Sequence, residues 1–128
     1  MAERAKKPGE RASGGRKALK AFDIEHLRRY TFEDQNLERE LLGLFQDQLP
    51  GLIERLEKAT GHNDWRLASH TLKGSARSVG APALAALALE LEEMGYQDSP
   101  AERARLAVLL RREADDFAQA IERAYRGS

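Results

Sequence analysis

The sequence predicts an all-α protein, an up-down antiparallel four-helix bundle with a short extra N-terminal helix. Three observations carry that expectation. Ala, Leu, Glu and Arg dominate the chain while aromatics make up only 6%, the texture of helices rather than of β-branched, aromatic-rich sheets. From Phe22 onward, apolar residues recur at spacings of three and four. Glycine and proline fall between these periodic stretches, leaving four segments of bundle length joined by loops too short for anything but antiparallel neighbours.

Each element has its own local reason. Asp23 is placed to cap a short helix running to about Tyr30, and residues 31–34 connect it to a long one. Leu37, Leu41, Leu44 or Phe45, Leu49, Leu52 or Ile53, and Leu56 draw an apolar stripe along residues 35–60. Pro50 is expected to kink that helix and Gly61 to stop it, with Asn63 or Asp64 capping the next, over about 64–79. Gly80-Ala81-Pro82 then reverses the chain, and the helix after it turns Leu84, Leu87, Ala88, Leu91 and Met94 inward. After Gly95, the string Ser99-Pro100-Ala101-Glu102 reads as a capping box that opens a last helix to about Tyr125. Its buried side is Leu106, Leu109 or Leu110, Phe117, Ile121, and Ala124 or Tyr125.

Composition bounds the function. With 128 residues and 41% apolar content, one modest core is affordable, hence a single domain at 21–128. The absence of cysteine excludes disulfides, thiolate metal sites and cysteine nucleophiles. No stretch approaches the roughly 20 apolar residues of a membrane span, and MAERAKKPGERASGG lacks the apolar segment of a secretory signal. A cytoplasmic monomer without membrane contact is the expectation. Residues 1–20 carry seven basic and two acidic groups, a charge of +5 that the remaining residues balance. Mixed with glycine and serine, they read as a disordered basic tail. No aromatic is interleaved with those charges, so nucleic-acid binding is not expected. HExxH is absent and the three histidines lie far apart, which argues against a metal site.

The chemistry concentrates on the helix at 64–79. With each residue advancing about 100°, Trp65, Ala68, Leu72, Ala76 and Val79 lie opposite His70, whereas Arg66, Lys73, Gly74 and Arg77 fall within about 60° of it. His70 therefore faces solvent among cations. Glycine inside a helix costs about 1 kcal/mol relative to alanine. At position 74, one turn past the histidine, it leaves the backbone bare and the imidazole open to an approaching group. A neutral imidazole is a nucleophile, the Lys73 ammonium offers three donors to an anion held at the ring, and Arg66 and Arg77 add positive field. That combination suits capture of a phosphoryl group. Ser69 points about 100° away, so a serine nucleophile served by His70 is not expected. His26 reads as a packing or surface residue, and His62 as a solvated loop residue.

The string His70-Thr71-Leu72-Lys73-Gly74-Ser75-Ala76, followed by Val79-Gly80, resembles the core motif of histidine phosphotransfer domains of bacterial and fungal phosphorelays. The resemblance extends over about 22–125 through Phe45, Pro50, Leu56, Asn63-Asp64, Leu67-Ala68, Leu84, Leu87 and Leu91-Glu92. It implies that His70 accepts a phosphoryl group from the aspartyl phosphate of a receiver domain and passes it to a response-regulator aspartate. The partners would be receiver domains of a hybrid sensor kinase and of a response regulator. It further implies that Lys73 holds phosphoryl oxygens, that Gly74 gives access, and that Nε2 reacts while a polar group on the neighbouring helix ties Nδ1. Glu92 sits at the matching offset, with Glu90 and Glu93 near enough to compete for the role. No GxxxxGK[ST] loop or kinase ATP-binding set is present. The expectation is thus a phosphocarrier rather than a kinase, with no cofactor of its own and magnesium carried on the receiver. Leu67, Ile24 and Leu27 either form an apolar docking patch for the receiver or cover the end of the bundle. The competing class is a non-catalytic module that binds a receiver or kinase and blocks it.

Overall fold

A computed structural model describes residues 19–126, in which five helices and no strands are formed. They are α1 (Ile24–Tyr30), α2 (Gln35–Glu57), α3 (His62–Val79), α4 (Pro82–Met94) and α5 (Pro100–Arg126). The expected basic tail lies outside the described residues over 1–18. At its end the Lys20 carbonyl accepts a hydrogen bond from Ala83 N at 3.2 Å.

The four long helices pack in a ring, α2 on α3, α3 on α4, α4 on α5 and α5 back on α2, with α1 resting on α2 and α3. Leu42, Phe45, Leu49, Ile53, Trp65, Leu72, Leu84, Leu91, Leu110 and Phe117 are buried between them. Each such side chain contributes about 1.5–3 kcal/mol by leaving water. Phe117 is a hub: its ring takes Phe22 at 5.6 Å and Phe45 at 5.4 Å, both edge-on. Trp65 Nε1 donates to the Leu91 carbonyl at 2.7 Å, which pins α3 to α4 at a fixed register.

Helix ends follow the expected chemistry in part. The carboxylates of Asp23 and Asp34 accept from His26 N and Leu37 N, and Ser99 Oγ accepts from Glu102 N at 3.2 Å. The Glu102 carboxylate turns to Arg105 instead, so only half of the capping box forms. Pro50 lies inside α2 without ending it. Gly61 has a different part from the expected stop: α2 ends at Glu57, and Gly61 is the N-cap of α3. Asp64 sits inside the first turn, where its carboxylate accepts from the Thr60 hydroxyl at 3.0 Å. His62 is accordingly the first residue of α3 rather than a loop residue, and its ring meets the edge of Tyr96 at 5.7 Å.

Gly80 is required by the turn that follows. Its φ of +79° belongs to the left-handed region, and a Cβ there would lie 2.5 Å from the Asp23 carbonyl oxygen. Asp23 N donates to the Gly80 carbonyl at 2.7 Å, so this close approach seats the start of α1 against the α3–α4 reversal.

The expected stripe of α2 is buried from Phe45 through Leu56 and departs from expectation at its N-terminal end. Leu37 and Leu44 are exposed, while Glu38 and Leu42 are buried beside Phe45 and Leu49. Adjacent positions differ by about 100°, so burying Glu38 and Phe45 turns both preceding leucines outward. The fully buried Glu38 carboxylate accepts from Tyr125 Oη at 2.6 Å and lies 3.4 Å from Arg28 Nε. Burial, reinforced by that bond, pushes the Tyr125 phenol up to about 12. Met94, the last residue of α4, is exposed rather than inward, and so is Ala124, leaving half-buried Tyr125 and Ile121 to seal the end of α5.

Candidate functional site

The site is built by the phase of α3. Trp65, Ala68, Leu72, Ala76 and Val79 are all buried, together with Ser69, whose hydroxyl donates to the Trp65 carbonyl at 2.8 Å. Burying that side turns His70 outward with 65% of its side chain exposed. The expected orientation is the observed one, and Ser69 is turned away from the ring into the helix.

Glu92, on α4, completes the site. Its Oε2 lies 3.1 Å from His70 Nδ1 and its Oε1 accepts from Lys73 Nζ at 2.6 Å. Of the three glutamates open at the sequence level, Glu92 is the one in contact with the ring. An ionised carboxylate only accepts, so the arrangement assigns the proton to Nδ1 and leaves the Nε2 lone pair available. Glu92 stays ionised, because the bond from Lys73, and to a lesser degree that from His70, holds its carboxyl below the usual carboxylate range against the opposing effect of burial.

Lys73 departs from the expected picture of a free ammonium. Its side chain is only 15% exposed and lies against α4, paired with Glu92. Helical spacing put Lys73 beside the histidine, but it cannot show a partner 19 residues along on another helix. Gly74 is exposed, and a Cβ placed on it would meet nothing within 4 Å. The gap in side-chain cover is real and opens on solvent.

Arg66 and Arg77 are exposed on the helix that carries His70. Asn63, Arg66, Leu67, His70 and Glu92 line one depression of about 470 Å³, so Asn63 belongs to the site surroundings rather than to a helix cap. Leu67 is 57% exposed there. Ile24 is half-buried, and Leu27 is fully buried beneath α1. Of the two alternatives for these residues, Leu27 thus falls on the side of bundle cover and is corrected as a docking residue. A roomier groove of about 700 Å³ between α2 and α5 is lined by Leu49, Ile53 and Phe117 and contains no histidine. Among the described residues no cluster of three or more His, Asp or Glu could hold a metal ion, and no helix is long and apolar enough to cross a membrane.

No curated protein and no solved structure matches the chain. A family model does: that of the Hpt domain, over residues 40–124. The matched stretch takes in His70, Lys73, Gly74 and Glu92 and spans more than half of the sequence, so this chain belongs to the Hpt domain family, whose members carry phosphoryl groups on histidine in two-component phosphorelays.

Proposed function

We propose that His70 is the phosphoacceptor, taking a phosphoryl group from an aspartyl phosphate of one receiver domain and delivering it to an aspartate of another. The single observation that carries this reading is an exposed imidazole whose Nδ1 is held by Glu92, which presents Nε2 as the nucleophile. The Nε2 lone pair forms the bond to phosphorus while the bond to the donor oxygen breaks, its electrons leaving with the donor carboxylate. Two activated phosphoryl linkages are exchanged, so transfer runs in either direction as the partners dictate.

Gly74 lets a partner's active site close on the ring, since the position four residues beyond His70 carries no side chain. Lys73 stabilises the phosphoryl oxygens and Arg66 and Arg77 supply field. Leu67 and Ile24 contribute apolar contact to the docked receiver. The four long helices are read as an up-down antiparallel bundle that acts as a rigid monomeric stand for this one side chain. Magnesium is supplied by the receiver.

Incubation with a phosphorylated receiver domain tests the reading. Wild type should acquire an acid-labile, base-stable label, and His70→Gln should acquire none. A labelled variant would assign the chemistry to another residue, and an unlabelled wild type that still binds the receiver would favour a blocking module.

A further inference from the structure

We propose that the turn between α1 and α2 is a knob for self-association: Phe32 of each chain enters the pocket between α2 and α5 of a second copy, so that two chains pair through two identical contacts. The inference goes beyond the carrier reading and does not depend on it.

The turn carries strain that packing within the chain does not offset. Thr31 caps the end of α1, where Phe32 N donates to the Arg29 carbonyl at 3.4 Å and Glu33 N to the Arg28 carbonyl at 2.9 Å. That pair of bonds is the helix closure that usually places glycine at its left-handed position. Here Phe32 holds the position at φ +53°, and Glu33 follows at φ +62°, both in a region that a Cβ disfavours. Buried Thr31, whose hydroxyl donates to the Leu27 carbonyl at 3.1 Å, fixes the turn from inside. The Phe32 ring itself is 91% exposed. An aromatic residue that strains the backbone and gains almost no contact in its own chain is presented to another surface.

The complement to the knob lies in the first three turns of α2. A pocket of about 480 Å³ opens there against α5, with Leu42, Gly43 and Ile121 as apolar lining and Arg39 and Arg126 as its cations. Gly43 keeps the mouth open, since a Cβ placed on it meets nothing within 4 Å. Charge matches shape. Glu33 and Asp34 are exposed beside Phe32, and Asp34 caps α2 with one carboxylate oxygen, which leaves the other for a partner. Arg39 lies over the Tyr125 ring at 4.8 Å with its edge available, and Arg126 is only loosely paired with Glu122, at 4.0 Å. Glu122 in the pocket and exposed Arg29 on the knob oppose the match and are outnumbered on each side by two opposite charges. Knob and pocket share one end of the bundle, where Tyr125 reaches Glu38, so a two-fold axis between copies makes both insertions at once. The pocket is on the α2–α5 side of the ring of helices, across from the α3–α4 seam where His70 meets Glu92, and pairing leaves both imidazoles open. With one ring per pocket the contact is small: the chain is monomeric when dilute and pairs as its concentration rises.

Sedimentation velocity of the full chain from about 10 μM to about 1 mM tests the proposal, and wild type should shift reversibly from monomer towards dimer across that range. Phe32→Gly should weaken association about tenfold or more. The same substitution should raise the urea midpoint of the dilute protein, because glycine suits the left-handed turn. Gly43→Gln fills the pocket mouth without touching the fold and should weaken association to a similar degree. A one-to-one mixture of the two variants should associate more than either alone, since one chain still has its knob and the other its pocket. Transfer from a phosphorylated receiver should be the same for wild type and both variants. A wild type that stays monomeric throughout, association unchanged in either variant, or a mixture no better than its components would each overturn the proposal and leave the carrier reading untouched. A Phe32→Gly protein that loses transfer would place the ring at the receiver contact and overturn it as well. Failure of the carrier reading shows instead as absent labelling of His70, which the sedimentation measurements do not use.

Discussion

Filling the gap at Gly74 separates stability from access in one position. Gly74 lies inside α3, is exposed, and has free space around the site of a Cβ. Gly74→Ala therefore gains the helix propensity of alanine, about 1 kcal/mol, with no clash to offset it and no burial to add to it. The acceptor role of the Gly74 carbonyl, bonded by Ser78 Oγ at 3.0 Å, is unaffected by either replacement. For a domain of this size, 1 kcal/mol raises Tm by roughly 4 °C. Gly74→Gln should gain somewhat less, while placing a long side chain beside the imidazole one turn away. Urea unfolding followed by circular dichroism gives the first quantity, and the initial rate of transfer from a phosphorylated receiver gives the second. Both variants should be more stable than wild type, and transfer should fall from glycine to alanine to glutamine. A glutamine variant that is stabilised yet transfers at the wild-type rate would refute the account of access, and a destabilised alanine variant would refute the account of space.

The other predictions test separate parts of the structure. Leu27→Ala should cost about 2–5 kcal/mol, as expected of a fully buried leucine, whereas exposed Leu67→Ala should leave unfolding within about 0.5 kcal/mol and slow transfer instead. Lys73→Ala should slow transfer and lower stability modestly, since it removes a cation and its bond to Glu92 but no core volume; an unchanged rate would show that Lys73 does not reach the phosphoryl group. Tyr125 holds its proton more tightly when folded, up to about 12, so the folded state should lose stability as pH rises from about 10 towards 12. Tyr125→Phe should lack that share of the alkaline loss in pH-dependent unfolding, and identical alkaline limbs would show that the phenol is not held by Glu38. Gly80→Ala should destabilise by more than the usual surface substitution, because its Cβ would strike the Asp23 carbonyl; thermal melting reads the effect.

The reactive face was legible because a single helix encodes it: the apolar phase of Trp65, Ala68, Leu72 and Ala76 fixes where His70 points. What lay between helices was less so. Periodicity offers three neighbouring glutamates on α4, and only the packing of α4 on α3 selects Glu92 and ties up Lys73. On α2, pattern reading counts leucines as core and charges as surface, so it misplaced Leu37 and gave no sign that Glu38 is buried; of the alternatives Leu44 and Phe45, Phe45 is the buried one. A carboxylate inside is tolerable only with partners from elsewhere in the chain, here the Tyr125 hydroxyl as donor and the Arg28 guanidinium as counter-charge, and no local pattern announces them. Gly61 misled for a related reason, since a glycine between helices serves equally as the stop of one or the start of the next.

The bond between Glu38 and Tyr125 joins residues 87 positions apart, and it has a practical corollary for anyone excising the matched region. The family match begins at 40 and stops at 124, one residue inside each member of that pair on the late side and two on the early side. A fragment trimmed to those limits discards the phenol, the carboxylate, and the Phe22 and Leu27 plugs together, unroofing the hub at Phe117. Margins reaching Phe22 and Arg126 retain the stitch between α2 and α5.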